Sequence, residues 1–413
     1  MCSSPMFSVL KKYTVGFPIP VLILIVAAVA AGQDAELPPL GKAMLPFFPW
    51  LAAAVGGVMG WRFNRSRITF SLVVIATVHG VMIAFFQAPP GKDVLGQVVY
   101  AAAAVLLPLN IAVMAFLEER GVLTLHGMIR AGVLVAQGVA VYLIAHSGIA
   151  VAAGQMLHVR LLPPEFDQWT YLPQPAMFAF ILAFSILIAR WVLNKSGLEG
   201  ASVTALLASA IAMHAVARGL TPDIFFIGAT LILTVAVVQD AYRMAFHDEL
   251  TGLPGRRALT DGMKKLPGRY AIAMLDVDHF KKFNDTYGHD AGDQVLQMMA
   301  YRLGEIGGGG RAYRYGGEEF TILYPGKDLE DAWDYLQELC DTISGTEFAL
   351  RAKDRPKKKP KKLKRGPKPK VVKVTISIGV ADFEDADTPE EVLREADKAL
   401  YRAKKAGRNQ VSD

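Results

Sequence analysis

Apolar residues fill the first 240 positions in long runs, and short alternating segments replace them afterwards. Runs of spanning length recur near 16–31, 45–61, 68–86, 94–117, 128–150, 175–192, 201–217 and 222–239, which predicts an all-α polytopic membrane bundle of about eight spans. From Val238 the chain has no Pro or Gly until Gly252, so a helix is expected to leave the last span without a flexible tether, as a linker over 240–250. Beyond it, YAIAMLD (270–276) reads as a buried strand and 288–306 as a helix through Val295, Leu296, Met299 and Leu303. RAYRYGGEEFTILY (311–324) reads as two strands about a Gly-Gly turn. A helix over 328–343, a strand over 371–383 and a helix over 389–407 capped by Thr388-Pro389 complete the pattern. Strands alternating with helices around a hairpin predict an α+β fold, one sheet under helices.

Charge sharpens the division. Residues 1–240 hold 23 charged positions and residues 241–413 hold 59, while the mean hydropathy of the whole chain is +0.30. A single soluble globule and a disordered chain are excluded. Two cysteines, Cys2 and Cys340, exclude a disulfide scaffold or a zinc cluster and suit a reducing cytoplasm around the second half. With the N-terminus inside, the inner segments carry ten Lys or Arg (11, 12, 62, 65, 67, 120, 130, 190, 195, 243) against four outside (42, 92, 160, 218), placing both termini in the cytoplasm. Lys11, Lys12 and the small residues Ala28, Ala30 and Gly32 also fit a cleavable signal; an uncleaved first span is expected, and sidedness is the same either way. His79, His146 and His214 are read as helix-packing groups, with no acidic pair to make a proton relay. Gly56, Gly57 and Gly60 suit close helix packing.

Two acidic pairs carry the candidate chemistry. Asp276 and Asp278 stand two apart at a strand end, expected on one face; Glu318 and Glu319 follow the Gly316-Gly317 turn. Carboxylates without His or Cys neighbours favour Mg²⁺ or Mn²⁺ over Zn²⁺. Lys281 and, on the last helix, Lys404 and Arg408 at i and i+4 supply positive charge. Acidic groups for metal with basic groups for phosphate are the inventory of nucleotide phosphoryl transfer.

The ordered segments HDELTGLPGRR (247–257), LDVDHFKKFNDTYGHDAGDQVL (275–296), RYGGEEF (314–320), TISIGVA (375–381) and ALYRAKKAGRN (399–409) together resemble the GGDEF domain of diguanylate cyclases. The resemblance implies a nucleotidyl-cyclase or polymerase-palm fold, an antiparallel-containing sheet with flanking helices. It implies condensation of two GTP into cyclic di-GMP and two pyrophosphates, with two Mg²⁺ per site or Mn²⁺ in their place. Asp276, the Val277 carbonyl and Glu318 match the family's metal ligands, and Glu319 the position that activates the 3′-hydroxyl. Asn284 and Asp293 match the guanine-reading pair. Lys281, Lys404 and Arg408 match phosphate-binding and charge-stabilising positions, and the backbone at His279 and Phe280 lies along the phosphates. One GTP per domain implies a catalytic homodimer. A silent nucleotide receptor would show a degenerate GGEEF, which this chain does not have. The resulting organisation is a membrane sensory and anchoring region over 1–239, a signalling linker over 240–250 and the cyclase over 251–413, held at a bacterial inner membrane with the cyclase in the cytoplasm.

Three departures from the family stand out. Gly255 replaces a usual Asn near the site entrance. The family's inhibitory Arg-x-x-Asp would fall at Gly307 and Gly310, so product feedback through that site is expected to be lost. Residues 351–373 are a basic insertion with 13 Lys or Arg and one Asp, leaving the rest of 241–413 at a net charge of −9. The tract is expected to be disordered and to contact anionic lipids of the inner leaflet, at about 1 kcal/mol per basic residue near the surface; without interleaved aromatics it is not expected to bind nucleic acid.

Overall fold

The computed structural model describes residues 18–32, 38–85, 93–163, 165, 170–218, 220–350 and 371–413. It divides after Ala241 into two compact units.

The first unit is all helical: α1 (Pro18–Gly32), α2 (Pro39–Met44), α3 (Phe48–Arg62), α4 (Ser66–Phe85), α5 (Val94–Phe116), α6 (Leu125–Ala145), α7 (Ala150–Leu157), α8 (Gln174–Asn194), α9 (Gly197–Ala217) and α10 (Asp223–Phe246). Among the described residues seven helices are long and apolar enough to cross a membrane: the run Pro39–Arg62, α4, α5, α6, α8, α9 and α10. The first of the eight expected runs is described as α1, a shorter apolar helix over Pro18–Gly32. Lys11 and Lys12 before it lie outside the described residues. The expected run 128–150 ends early, at Ala145, because His146 caps α6 and α7 starts anew at Ala150.

Leu72, Leu107, Leu206, Met213, Phe226 and Ile232 form the centre of this unit, on α4, α5, α9 and α10. Gly56 and Gly60 allow close approach, Gly56 against Thr234 and Leu72, Gly60 against Thr69; Gly57 faces open space. His79 of α4 is fully buried, and its Nε2 lies 2.7 Å from Asp223 Oδ1 at the start of α10. The sequence reading had no acidic partner for this histidine, because the two positions are 144 residues apart. Near the other end of α10, Asp240 pairs with Arg65 at 2.7 Å. Glu199 gathers Arg190 at 2.8 Å and Arg67 at 3.4 Å, and Arg67 also reaches Glu119 at 2.9 Å. Such pairing is how charge is tolerated in apolar surroundings.

The second unit, Tyr242–Asp413, starts within the last turns of α10, which ends at Phe246 rather than near 250. It contains α11 (Arg256–Met263), β1 (Tyr270–Val277), α12 (Phe280–Tyr287), α13 (His289–Leu303), β2 (Arg311–Gly316), β3 (Glu319–Pro325), α14 (Leu329–Gly345), β4 (Phe348–Ala349), β5 (Val371–Val372), β6 (Ile376–Asp382), α15 (Pro389–Lys405) and β7 (Val411–Ser412). The main sheet runs β2-β3-β1-β6-β7, antiparallel throughout except for the parallel pair β6–β7. Alternation on β1 divides the core. Ala271, Ala273, Leu275 and Val277 join Val295, Leu296, Met299 and Leu336 from α13 and α14. Tyr270, Ile272 and Met274 join Leu259 of α11 and Val392, Ala396 and Leu400 of α15.

Gly379 of β6 sets how closely α15 lies on this second face. A β-carbon there would collide with the Leu400 nitrogen and the Ala396 carbonyl, backbone atoms that cannot swing aside. α15 begins as expected, Thr388 accepting from the Glu391 N–H at 3.3 Å with Pro389 in the first turn.

The single strand expected over 371–383 is instead two. β5 pairs with β4, and β6 begins only at Ile376. Between them the Thr375 carbonyl accepts the Asp278 N–H at 2.9 Å, one further bond in the β1–β6 register, and its hydroxyl donates to the Asp278 carboxylate at 2.7 Å. The basic insertion lies outside the described residues except for 371–373.

Candidate active site

Antiparallel pairing brings the acidic positions together. Asp276, at the end of β1, stands opposite Glu319, the first residue of β3, and opposite Ser377 on β6. Opposed residues share a face, here the one on which α15 packs. Glu318 sits in the β2–β3 turn, its carbonyl accepting the Val277 N–H at 3.4 Å. The turn is tight because Gly317 takes φ +51°. α15 ends over the same edge, and Lys404 Nζ lies 2.9 Å from Asp276 Oδ2.

The electrostatics follow from this crowding. Burial raises the Asp276 carboxyl above its ordinary range, and the Lys404 ammonium only partly opposes that. Burial, then repulsion from Asp276, raises Glu318 and Glu319 as well, again with Lys404 opposing. Three carboxylates facing one ammonium leave excess negative charge, which a hard divalent cation relieves. Asp276, the Val277 carbonyl and Glu318 offer oxygen donors only, the chemistry that suits Mg²⁺ or Mn²⁺; among the described residues no three His, Cys, Asp or Glu side chains are drawn together as a metal cluster.

Asp278 lies on the Asp276 face, as its spacing of two suggests: its carboxylate meets Ser377, the residue opposite Asp276, and its charge helps to raise the Asp276 carboxyl. It falls just past β1, and its carboxylate is taken up by the hydroxyls of Ser377 and Thr375, both at 2.7 Å, and by the Asn409 N–H at 3.1 Å. It is a buried anion satisfied by protein donors.

The β1–α12 turn supplies donors. His279 precedes α12 in the left-handed region, φ +55°, and Phe280 anchors the first turn in the core. The leading N–H groups of an eight-residue helix have no earlier carbonyl to bond. Lys281 is exposed on that first turn. One turn on, Asn284 packs against Gly292 of α13, beside the exposed Asp293. Only glycine at 292 leaves room for the amide. Asn284 Oδ1 is buried with no hydrogen-bond partner among the described residues, an acceptor waiting for a donor. Arg408 is not on the last helix, as its i, i+4 spacing from Lys404 suggested: α15 ends at Lys405, and after Gly407 Arg408 turns left-handed at φ +68°. It is exposed there, and its charge opposes the rise of the Asp276 carboxyl.

Sequence reasoning assigned no role to Arg314 or Asp248. Arg314 donates to Asp248 Oδ1 at 2.6 Å and to the Gly317 carbonyl at 2.6 Å, tying the 247–255 segment to the acidic turn. Asp248 in turn accepts from the Thr251 N–H and hydroxyl. Both residues lay inside quoted motifs, two positions before Gly-Gly and four before Gly252, but a pairing 66 residues apart has no local signature.

Residues 245–410 match the family model described as diguanylate cyclase, GGDEF domain. The response regulator PleD of Caulobacter vibrioides is 38% identical over 183 residues, 42% of this chain and 37% of that one. The diguanylate cyclase VdcA of Vibrio cholerae is 38% identical over 171 residues, 40% and 46% of the two chains. The probable diguanylate cyclase DgcI of Escherichia coli is 32% identical over 242 residues, 57% and 46%. The chain thus spans less than half the length of these curated relatives. A crystal structure of the coiled coil and GGDEF domain of DgcB from Caulobacter crescentus, in complex with c-di-GMP, aligns with a TM-score of 0.36 and 30% identity over 42% of this chain and 88% of that one. With Asp276, the glycine-backed Asn284, the Glu318–Glu319 pair and the basic helix end following one another along the sequence, residues 245–410 are a GGDEF domain.

Proposed function

We propose that this chain is a membrane-bound diguanylate cyclase that joins two GTP into cyclic di-GMP with release of two pyrophosphates. The observation that carries the reading is the convergence of Asp276, Glu318 and Glu319 on one sheet edge, facing Lys404. Asp276, Glu318 and the Val277 carbonyl would hold Mg²⁺. When bound, the metal polarises the 3′-hydroxyl and neutralises triphosphate charge. Glu319 accepts the proton of the attacking 3′-hydroxyl; its carboxyl, raised by burial and by Asp276, is a better base than an ordinary glutamate. Lys281, Lys404 and Arg408 bind the phosphates and offset the charge that builds on the leaving pyrophosphate. The N–H groups at His279 and Phe280 lie along the phosphates at the start of α12. Guanine presents N1–H and N2–H to the open Asn284 oxygen and the Asp293 carboxylate.

Each domain takes one GTP, so two domains must face each other and the working unit is a homodimer. Residues 1–239 anchor and regulate it in the bacterial cytoplasmic membrane, residues 240–250 connect, and residues 251–413 catalyse on the cytoplasmic side. The basic insertion 351–373 contacts anionic lipid. Incubating the full-length protein in nanodiscs with GTP and Mg²⁺ tests the reading. Cyclic di-GMP is expected by mass spectrometry, and Glu318→Ala and Glu319→Ala are each expected to remove it. Bound GTP without product would refute the cyclase.

A further inference from the structure

Asp278 is a buried charge that the chemistry above does not use. It is 8% exposed, and a carboxylate in such a place is costly unless several donors meet it. Its donors come from two directions. Ser377 and Thr375 belong to β6 and its lead-in, whereas Asn409 belongs to the turn behind α15.

That turn is strained. After Gly407 at φ +122°, Arg408 and Asn409 take φ +68° and +48° in succession. Asparagine tolerates the left-handed region, but arginine has no local compensation there, and such residues cost about 1–3 kcal/mol each, persisting only where their surroundings impose them. The impositions are few. The Arg408 N–H donates to the Ala403 carbonyl at 3.0 Å, the Gln410 carbonyl accepts the Ile378 N–H at 3.0 Å, and Asp278 Oδ2 accepts the Asn409 N–H at 3.1 Å between them. The Gln410 side chain also donates to the Ala403 carbonyl at 2.9 Å, and the Cys340 thiol reaches the Asn409 side-chain oxygen at 3.7 Å; of the side chains, Asp278 holds the backbone N–H at the middle of the turn.

We propose that Asp278 is a positioning residue for the nucleotide phosphates: by holding the Asn409 N–H it keeps Arg408 left-handed and aims the guanidinium at the edge occupied by Asp276 and Lys404. The inference rests on the reading of Arg408 as a phosphate ligand. Asp278 does not touch the nucleotide; it acts through Arg408. The same carboxylate fixes Thr375 and Ser377, so one buried anion registers the β6 edge and the basic turn against the end of β1.

The test is a double-mutant cycle on the full-length protein in nanodiscs, with 3′-deoxy-GTP and Mg²⁺ as the probe. That nucleotide lacks the attacking hydroxyl, so its affinity is read without turnover. Asp278→Ala is expected to weaken binding about tenfold in the wild-type background and less than twofold in Arg408→Ala, since residues acting as one unit are not additive. Asp278→Asn keeps an oxygen for the Asn409 N–H and an amide that the Ser377 hydroxyl can accept from, so it is expected to bind within threefold of wild type. Equal losses in both backgrounds, an unchanged affinity in a folded Asp278→Ala, or an Asp278→Asn as weak as Ala would each overturn the proposal. If Asp278→Ala melts below the assay temperature, Asp278→Ser replaces it in the cycle, being too short to reach Asn409. Unfolding of both would make Asp278 a folding residue only and end the idea. Wild-type protein that binds the probe but makes no cyclic di-GMP from GTP would refute the cyclase and leave the cycle to decide on Asp278.

Discussion

Lys404 Nζ and Asp276 Oδ2 lie 2.9 Å apart, joining the last turn of α15 to the end of β1. The ammonium is the counter-charge closest to a carboxylate that burial makes costly to ionise, and it lies where a triphosphate would arrive. Lys404→Ala removes a charged donor whose hydrogen bond is worth about 1.5–3 kcal/mol, so kcat/KM for GTP is expected to fall about 10- to 100-fold. Steady-state kinetics on the dimeric protein checks this, and a change under threefold would remove Lys404 from the site.

The placement of Lys404 depends on a glycine of β6, the strand beside the one that carries Asp276. At Gly379 the α15 backbone rests directly on β6. Gly379→Ala inserts a methyl against the Leu400 nitrogen, and overpacking of this kind costs about 1–3 kcal/mol or more. The expected outcome is a lowered melting temperature together with a raised KM, because α15 moves off the sheet and takes Lys404 with it. An alanine variant with wild-type stability would show that the helix rides higher than the structure places it.

Much of this architecture was legible beforehand. The short apolar run 270–276 and the Gly-Gly turn in 311–324 located β1, β2 and β3 because run length and turn chemistry are local. Seven of the eight expected spans are met by long apolar helices and the first run by the shorter α1, because apolarity of spanning length is written in composition. The partnerships were not legible in this way. Asp278 shares the Asp276 face, as a spacing of two on an extended strand requires. Spacing has no signature for the donors that take up its carboxylate, Thr375 and Asn409, 97 and 131 residues downstream. His79 found Asp223 in the same way, through packing and not through pattern.

Asp248 carries a pH dependence with a defined sign. Burial would raise its carboxyl, but the hydrogen bonds from Thr251 and Arg314 outweigh that and hold it below the ordinary range. A carboxyl depressed in the fold contributes stability above its unfolded pKa of about 3.9, and that stability is lost as pH falls through the lower folded value. Asp248→Asn is therefore expected to be less stable than wild type by about 1–3 kcal/mol at pH 7. The gap should close as pH falls below about 4. Denaturant unfolding of both proteins across that interval measures it; a gap constant with pH would show that the Arg314 contact is not ionic.

The last prediction concerns what the chain lacks. In the positions where the resemblance places an inhibitory arginine and aspartate stand Gly307 and Gly310, in a turn closed by the Gly310 N–H on the Gly307 carbonyl at 3.2 Å. Nor is the space free: the half-buried Tyr335 ring lies against Gly307 and Gly308, and the buried Tyr324 against Gly310, so side chains at 307 or 310 would press on these rings. Cyclic di-GMP added at the start of a reaction is expected to leave the initial rate unchanged, and a dose-dependent fall would reveal a product-binding surface elsewhere on the domain. Grafting the pair, Gly307→Arg with Gly310→Asp, is expected to cost about 1–3 kcal/mol of stability through overpacking against Tyr335 and Tyr324. Inhibition is then expected only where Tyr335 has also been reduced to alanine to make room, which separates the missing charges from the ring that fills their place.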